Sequence, residues 1–123
     1  MSTTARYPLI SARNQDNTGR ILTVEYQAPV YAATIALQLA SAQTIVKVAQ
    51  LTGALTITGE TTRPQIGDEL CLLFNADGTN RIVTFGTGFA SAGTLTVTAN
   101  KQASATFCFD GTSWVEVGRA VAA

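Results

Sequence analysis

Residues 67–86 read GDELCLLFNADGTNRIVTFG, and the fold turns on how this stretch is read. In an extended chain successive side chains point to opposite sides. Leu70, Leu72 and Phe74 therefore share one face, and Cys71 and Leu73 share the other. Both faces are apolar, which suits a strand lying between layers or between subunits. Asp77-Gly78 then fits a tight reversal, in which glycine accepts a positive φ and aspartate accepts backbone hydrogen bonds. Arg81 opens a returning strand that continues through Ile82, Val83 and Phe85. The stretch predicts a β-hairpin.

The same grammar recurs on either side. Downstream, residues 107–117 read FCFDGTSWVEV. Ala103, Ala105, Phe107 and Phe109 fall on one face with Thr106 and Cys108 opposite, and Asp110-Gly111 turns the chain into a strand carrying Trp114. Residues 94–98 alternate Thr with Leu95 and Val97, and the small-residue connection 86–93 surrounds Phe89, which is expected to plug a sheet edge or an end of the core. Upstream, Leu55 and Ile57 oppose Thr56 and Thr58, and Pro64 with Gly67-Asp68 marks a connection. Residues 20–27, 33–39 and 44–48 read as further strands, with a helix over 32–42 as the alternative because alanine and leucine favour it. Eight or nine short strands predict an all-β chain, a small antiparallel β-sandwich or jelly-roll-like barrel. The expected core is Leu70, Leu72, Phe74, Phe85, Phe107, Phe109 and Trp114. Residues 1–17 read as an N-terminal arm, 18–119 as a single β domain, and 120–123 as a C-terminal tail.

Composition excludes more than it selects. The 123 residues carry 13% charged side chains, summing to zero, against about 25% in an ordinary domain. No long-range field draws in nucleic acid, and the basic residues do not cluster, so no nucleic-acid partner is expected. No apolar run is long enough for a membrane helix, so no membrane partner is expected either. The opening MSTTARYPLISARN lacks an apolar segment behind a basic end, so no secretion signal is expected. Cys71 and Cys108 sit in apolar runs and read as free buried thiols, with a disulfide as the alternative.

Chemistry is equally thin. The absence of histidine removes the usual base near neutral pH, the triads that need it and imidazole metal centres. No glycine-rich phosphate cradle is present. No enzyme activity, cofactor or metal is therefore expected. Among the carboxylates, Asp68 and Glu69 are neighbours that point to opposite faces of a strand. Asp77 and Asp110, with Gly78 and Gly111, read as structural turns. Arg81 is either an exposed strand residue or half of an ion pair, within its own subunit or across a contact. Tyr7, Leu9 and Ile10 of the arm, with Tyr26 and Arg81, are the candidate contacts to a partner protein or a neighbouring subunit. Trp114, Phe107 and Phe109 are the aromatics that could stack on a sugar, although alternating aromatics inside strands more often form core.

The segment 51–119 resembles structural proteins of tailed bacteriophages, including capsid decoration (cement) proteins and head-fibre or tail-fibre β domains. The resemblance lies in Gly67-Asp68, Asp77-Gly78-Thr79 with Arg81, Val83-Thr84-Phe85-Gly86, Phe89, and Phe107-Phe109-Asp110-Gly111 with Trp114. It implies a virion protein on the capsid surface, made in the host cytoplasm, that forms a homotrimer, binds the major capsid protein and stabilises the shell. A tail-fibre or baseplate module for host glycan binding or assembly is the alternative it implies.

Overall fold

A computed structural model describes residues 21–123, with side chains from Val24 onward. The described chain is all-β, with ten strands: β1 (Ile21–Gln27), β2 (Thr34–Leu37), β3 (Ser41–Lys47), β4 (Leu55–Gly59), β5 (Glu69–Asn75), β6 (Arg81–Phe85), β7 (Phe89–Ala90), β8 (Leu95–Val97), β9 (Gln102–Phe109) and β10 (Trp114–Val121). The 32–42 segment, ambiguous in sequence, lies in β2 and β3 rather than in a helix.

The strands form two sheets, ordered β1-β3-β5-β9-β10-β7 and β2-β4-β6-β8. From β1 to β6 the chain alternates between sheets. Each return lays a strand parallel to the one two places earlier, giving β1–β3–β5 and β2–β4–β6. A chain that passes through the opposite layer before coming back must arrive in the same direction, which is why these neighbours are parallel. The winding is solenoid-like, and like residues stack in register. Thr34, Thr56 and Thr84 form a ladder on the outside of the four-stranded sheet, and Ile35, Ile57 and Phe85 form one facing the core.

After β6 the winding stops. β8 returns antiparallel to β6, β9 antiparallel to β5, and β10 antiparallel to β9. The two-residue β7 pairs with β10 at the sheet edge.

The all-β class expected from the sequence is present, but not as an antiparallel sandwich or jelly-roll-like barrel: β1 to β6 pair with one another in parallel, and antiparallel pairs form only where β8, β9 and β10 join. The pairing also overturns the hairpin at Asp77-Gly78. Strands β5 and β6 lie in different sheets, so the turn carries the chain across a corner. Gly78 is absent from the positive-φ positions, whereas Gly111, at φ 101°, sits in the true hairpin between β9 and β10. The short C-terminal tail of 120–123 is corrected as well, because β10 pairs with β9 as far as Val121. The expected arm, 1–17, lies outside the described residues.

The core fills the space between the sheets. Leu70, Leu72, Phe74, Phe107, Phe109 and Trp114 are buried there, and Phe85 is half-buried against it. Phe85, Phe89 and Phe107 form an edge-on cluster with ring centroids 4.8 to 5.6 Å apart, so the ring of Phe89 closes the core beside the sheet edge. The buried Trp114 indole donates its Nε1–H to the Glu60 carbonyl at 3.0 Å, fixing β10 to the connection that follows β4.

Candidate functional site

The loops that the sequence singles out close on themselves. Asp77 Oδ1 accepts the Thr79 N–H at 3.2 Å and Arg81 Nε–H at 2.9 Å, while Oδ2 accepts from Arg81 Nη2 at 2.8 Å. The Arg81 fork and the Thr79 amide hold the Asp77 carboxyl below the ordinary aspartate range. Arg81 is thus engaged by its own loop. Asp110 accepts the N–H groups of Thr112 and Ser113, both at 2.8 Å, and those amides hold its carboxyl low. Asp68 is buried and accepts the Gln65 N–H at 3.0 Å.

Two more ion pairs repeat the Asp77–Arg81 geometry. Arg63 grips Glu60 through Nε and Nη2 at 2.9 and 2.7 Å, and Glu60 also accepts the Leu39 N–H at 2.6 Å. Arg119 grips Glu116 through Nε and Nη2 at 2.7 and 2.8 Å, and its remaining donors reach the Gly93 and Thr94 carbonyls. Arg63 holds Glu60 low, and Arg119 holds Glu116 low. Every described arginine therefore makes a two-point contact with a carboxylate three or four residues before it. The spacing was visible in the sequence but carried no weight there, since residues three apart in a strand face opposite ways. In β10 the register slips between Glu116 and Gly118, placing Val117 in a bulge. The slip turns Glu116 and Arg119 to the same side, and the Glu116 side chain is left 5% exposed.

The outer face of the six-stranded sheet is different in kind. Register places Val24, Gln43, Glu69, Cys108 and Val115 in one row and Tyr26, Ile45, Cys71, Thr106 and Gly118 in the next. A groove of about 540 Å³ runs across its centre, lined by Gln43, Ile45, Glu69, Cys71, Thr106, Cys108 and Val117, with Leu70 and Phe107 at its floor. Tyr26 stands 75% exposed on the edge strand and Val117 66% exposed beside the groove. Cys71 and Cys108 are free, on adjacent strands, and half-buried on this face rather than in the core. Burial pushes the Cys71 thiol above its ordinary pKa, which disfavours the thiolate near neutral pH.

Of the candidate contacts, Tyr26 belongs to this face and Arg81 does not, while Tyr7, Leu9 and Ile10 lie outside the described residues. Trp114, Phe107 and Phe109 are buried and offer no ring face to a sugar. Among the described residues no cluster of three His, Cys, Asp or Glu could hold a metal ion, and no helix is long and apolar enough to cross a membrane. No protein-family model matches the chain, and no curated protein matches it.

Proposed function

We propose that this chain is a non-catalytic structural module of a tailed-phage virion, a homotrimer that binds the outer face of the head on the major capsid protein and stabilises the shell. One observation carries the reading: the described arginines are closed on neighbouring carboxylates, while the described residues leave a broad, nearly uncharged sheet face uncovered. Such a surface supplies contact area. It holds no poised acid or base, and the chain has no histidine to become one. The resemblance of residues 51–119 to virion segments supplies the class of particle, and unpaired thiols suit assembly in a reducing cytoplasm. The mechanism is mechanical. A subunit straddling a joint between capsid proteins buries surface on both sides, so opening the joint must break those contacts too; stable interfaces of this sort bury about 1,200–2,000 Å².

The test is cosedimentation of the purified chain with expanded heads that lack it. Saturable binding and a higher temperature of head disruption are expected; heads that neither bind nor gain stability overturn the reading. A tail-fibre or baseplate module is the second reading, favoured by the solenoid-like winding of β1 to β6, since such windings extend in one dimension. Antibody labelling of the tail rather than the head would select it.

A further inference from the structure

We propose that Asp110-Gly111 is a site of covalent modification, where aspartate converts spontaneously to isoaspartate through a succinimide, and that Arg81 shields the twin pair Asp77-Gly78 from the same reaction. The chain holds these two Asp-Gly pairs and no Asn-Gly pair, and in both the next residue is threonine. Local sequence therefore gives the two the same intrinsic reactivity. Any difference between them comes from the fold.

Both carboxyls are placed to react. Asp110 Oδ1 accepts the Thr112 N–H at 2.8 Å and Asp77 Oδ1 the Thr79 N–H at 3.2 Å, so each side chain is bent over the peptide bond that follows it. Glycine carries no side chain to hinder the approach of its own nitrogen. Holding the two groups together makes the attack an intramolecular step.

What differs is the hold on the leaving oxygen. At Asp110 both donors, the Thr112 and Ser113 N–H groups, sit on Oδ1. Oδ2 has no hydrogen-bond partner among the described residues, and Asp110, Gly111 and Thr112 are exposed to water. At Asp77, Arg81 takes both oxygens, Nε–H on Oδ1 and Nη2 on Oδ2, and the pair is half-buried.

The reaction runs from the neutral acid. The Gly111 nitrogen gives up its proton and bonds to Asp110 Cγ, and Oδ1 takes the negative charge of the tetrahedral adduct. Oδ2, already a hydroxyl, gains that proton and departs as water. The succinimide then takes up one water: opening at Cγ restores aspartate, and opening at the main-chain carbonyl leaves isoaspartate, with the chain running through Cβ. One water leaves and one enters, so no oxidant or further reactant is needed. The Thr112 and Ser113 amides stay bonded to Oδ1 as its charge develops, which is how an oxyanion is held. Arg81 Nη2, in contrast, must release Oδ2 before that oxygen can leave from Asp77.

The purified chain, incubated at neutral pH in oxygen-isotope-labelled water, tests this. Each succinimide hydrolysis fixes one labelled oxygen, and peptide mapping by mass spectrometry reads label and isoaspartate at each position. In the folded chain, position 110 is expected to react about tenfold faster than 77, the factor for one charge-assisted hydrogen bond that must break first. In urea the two positions are expected to react alike. Arg81→Gln is expected to bring Asp77 up to the rate of Asp110 and to leave Asp110 unchanged. Arg81→Lys, which keeps the charge without the two-point grip, is expected to fall between. Should circular dichroism show that neither variant folds, the wild-type ratio of 110 to 77, folded against urea-unfolded, decides alone. Equal rates at the two positions of the folded wild type, or a faster 77, overturn the proposal. So does a folded chain unmodified at 110 over the time in which the unfolded chain reacts. A slow Asp77 in a folded Arg81→Gln chain overturns the shielding by Arg81.

Discussion

Gly88→Ala should damage this protein more than any substitution at Gly78, although the Asp-Gly pair at 77–78 is the stronger glycine signal in the sequence. Gly88 has φ +95°, where a side chain costs about 1–2 kcal/mol. A Cβ there would also run into the Gly59 carbonyl oxygen, a backbone atom at the end of β4. Neither segment can yield freely. The Gly59 N–H is bonded to the Thr87 carbonyl at 3.1 Å, and the Gly88 carbonyl accepts the Trp114 N–H at 2.8 Å. Losing both adds about 1–3 kcal/mol, since each such bond contributes roughly 0.5–1.5 kcal/mol. The total of about 3 kcal/mol lowers the melting temperature by roughly 12 °C or more for a domain near 100 residues. At Gly78 φ is not positive and a Cβ would meet no atom within 4 Å, so Gly78→Ala should change stability by less than about 1 kcal/mol. Thermal melts by circular dichroism at one protein concentration compare the two. Equal losses at both positions, or a neutral Gly88→Ala, would refute the assignment of the sheet-crossing corners.

Thr44 is fully buried with no partner for its hydroxyl among the described residues, so Thr44→Val should raise stability by about 1 kcal/mol in urea melts. Glu116→Gln should cost about 1.5–3 kcal/mol at pH 7, because it removes the charge that both Nε and Nη2 of Arg119 bond. Acid should act through the same groups. Glu60, Asp77, Asp110 and Glu116 have folded pKa values below their unfolded ones, so the unfolded chain takes up protons first and stability falls as pH drops through the depressed values. The melting temperature should be level from pH 7 to about 5, with no histidine to titrate there, and should decline below about pH 4. The acid decline should be shallower in Glu116→Gln; an identical slope would show that this pair does not contribute to it.

Side-chain alternation made the inner surface legible. The period of two through residues 69–74 and 103–109 named Leu70, Leu72, Phe74, Phe107 and Phe109, and all are buried. Strand direction was not legible, because alternation is the same in parallel and antiparallel ladders. Asp77-Gly78 and Asp110-Gly111 look alike locally, yet one crosses between sheets and the other makes a hairpin. What separates them is the partner each following strand finds: β6 joins β4, from an earlier turn of the winding, while β10 folds back on β9. The arginine pairs were hidden for a related reason. Glu116 and Arg119 share a side only because Val117 bulges, and nothing in the local sequence announces a bulge. Cys71 and Cys108 read as core from their neighbours, but they fall on the outward phase of β5 and β9, and that phase places them in the groove.

Electron cryo-microscopy of phage heads incubated with the purified chain tests the proposal at its centre. The expected map shows three copies around a local three-fold axis on the outer head surface, their six-stranded sheets against the capsid protein. Density on the tail, isolated single copies, or trimers that turn the threonine-rich sheet to the head would contradict it.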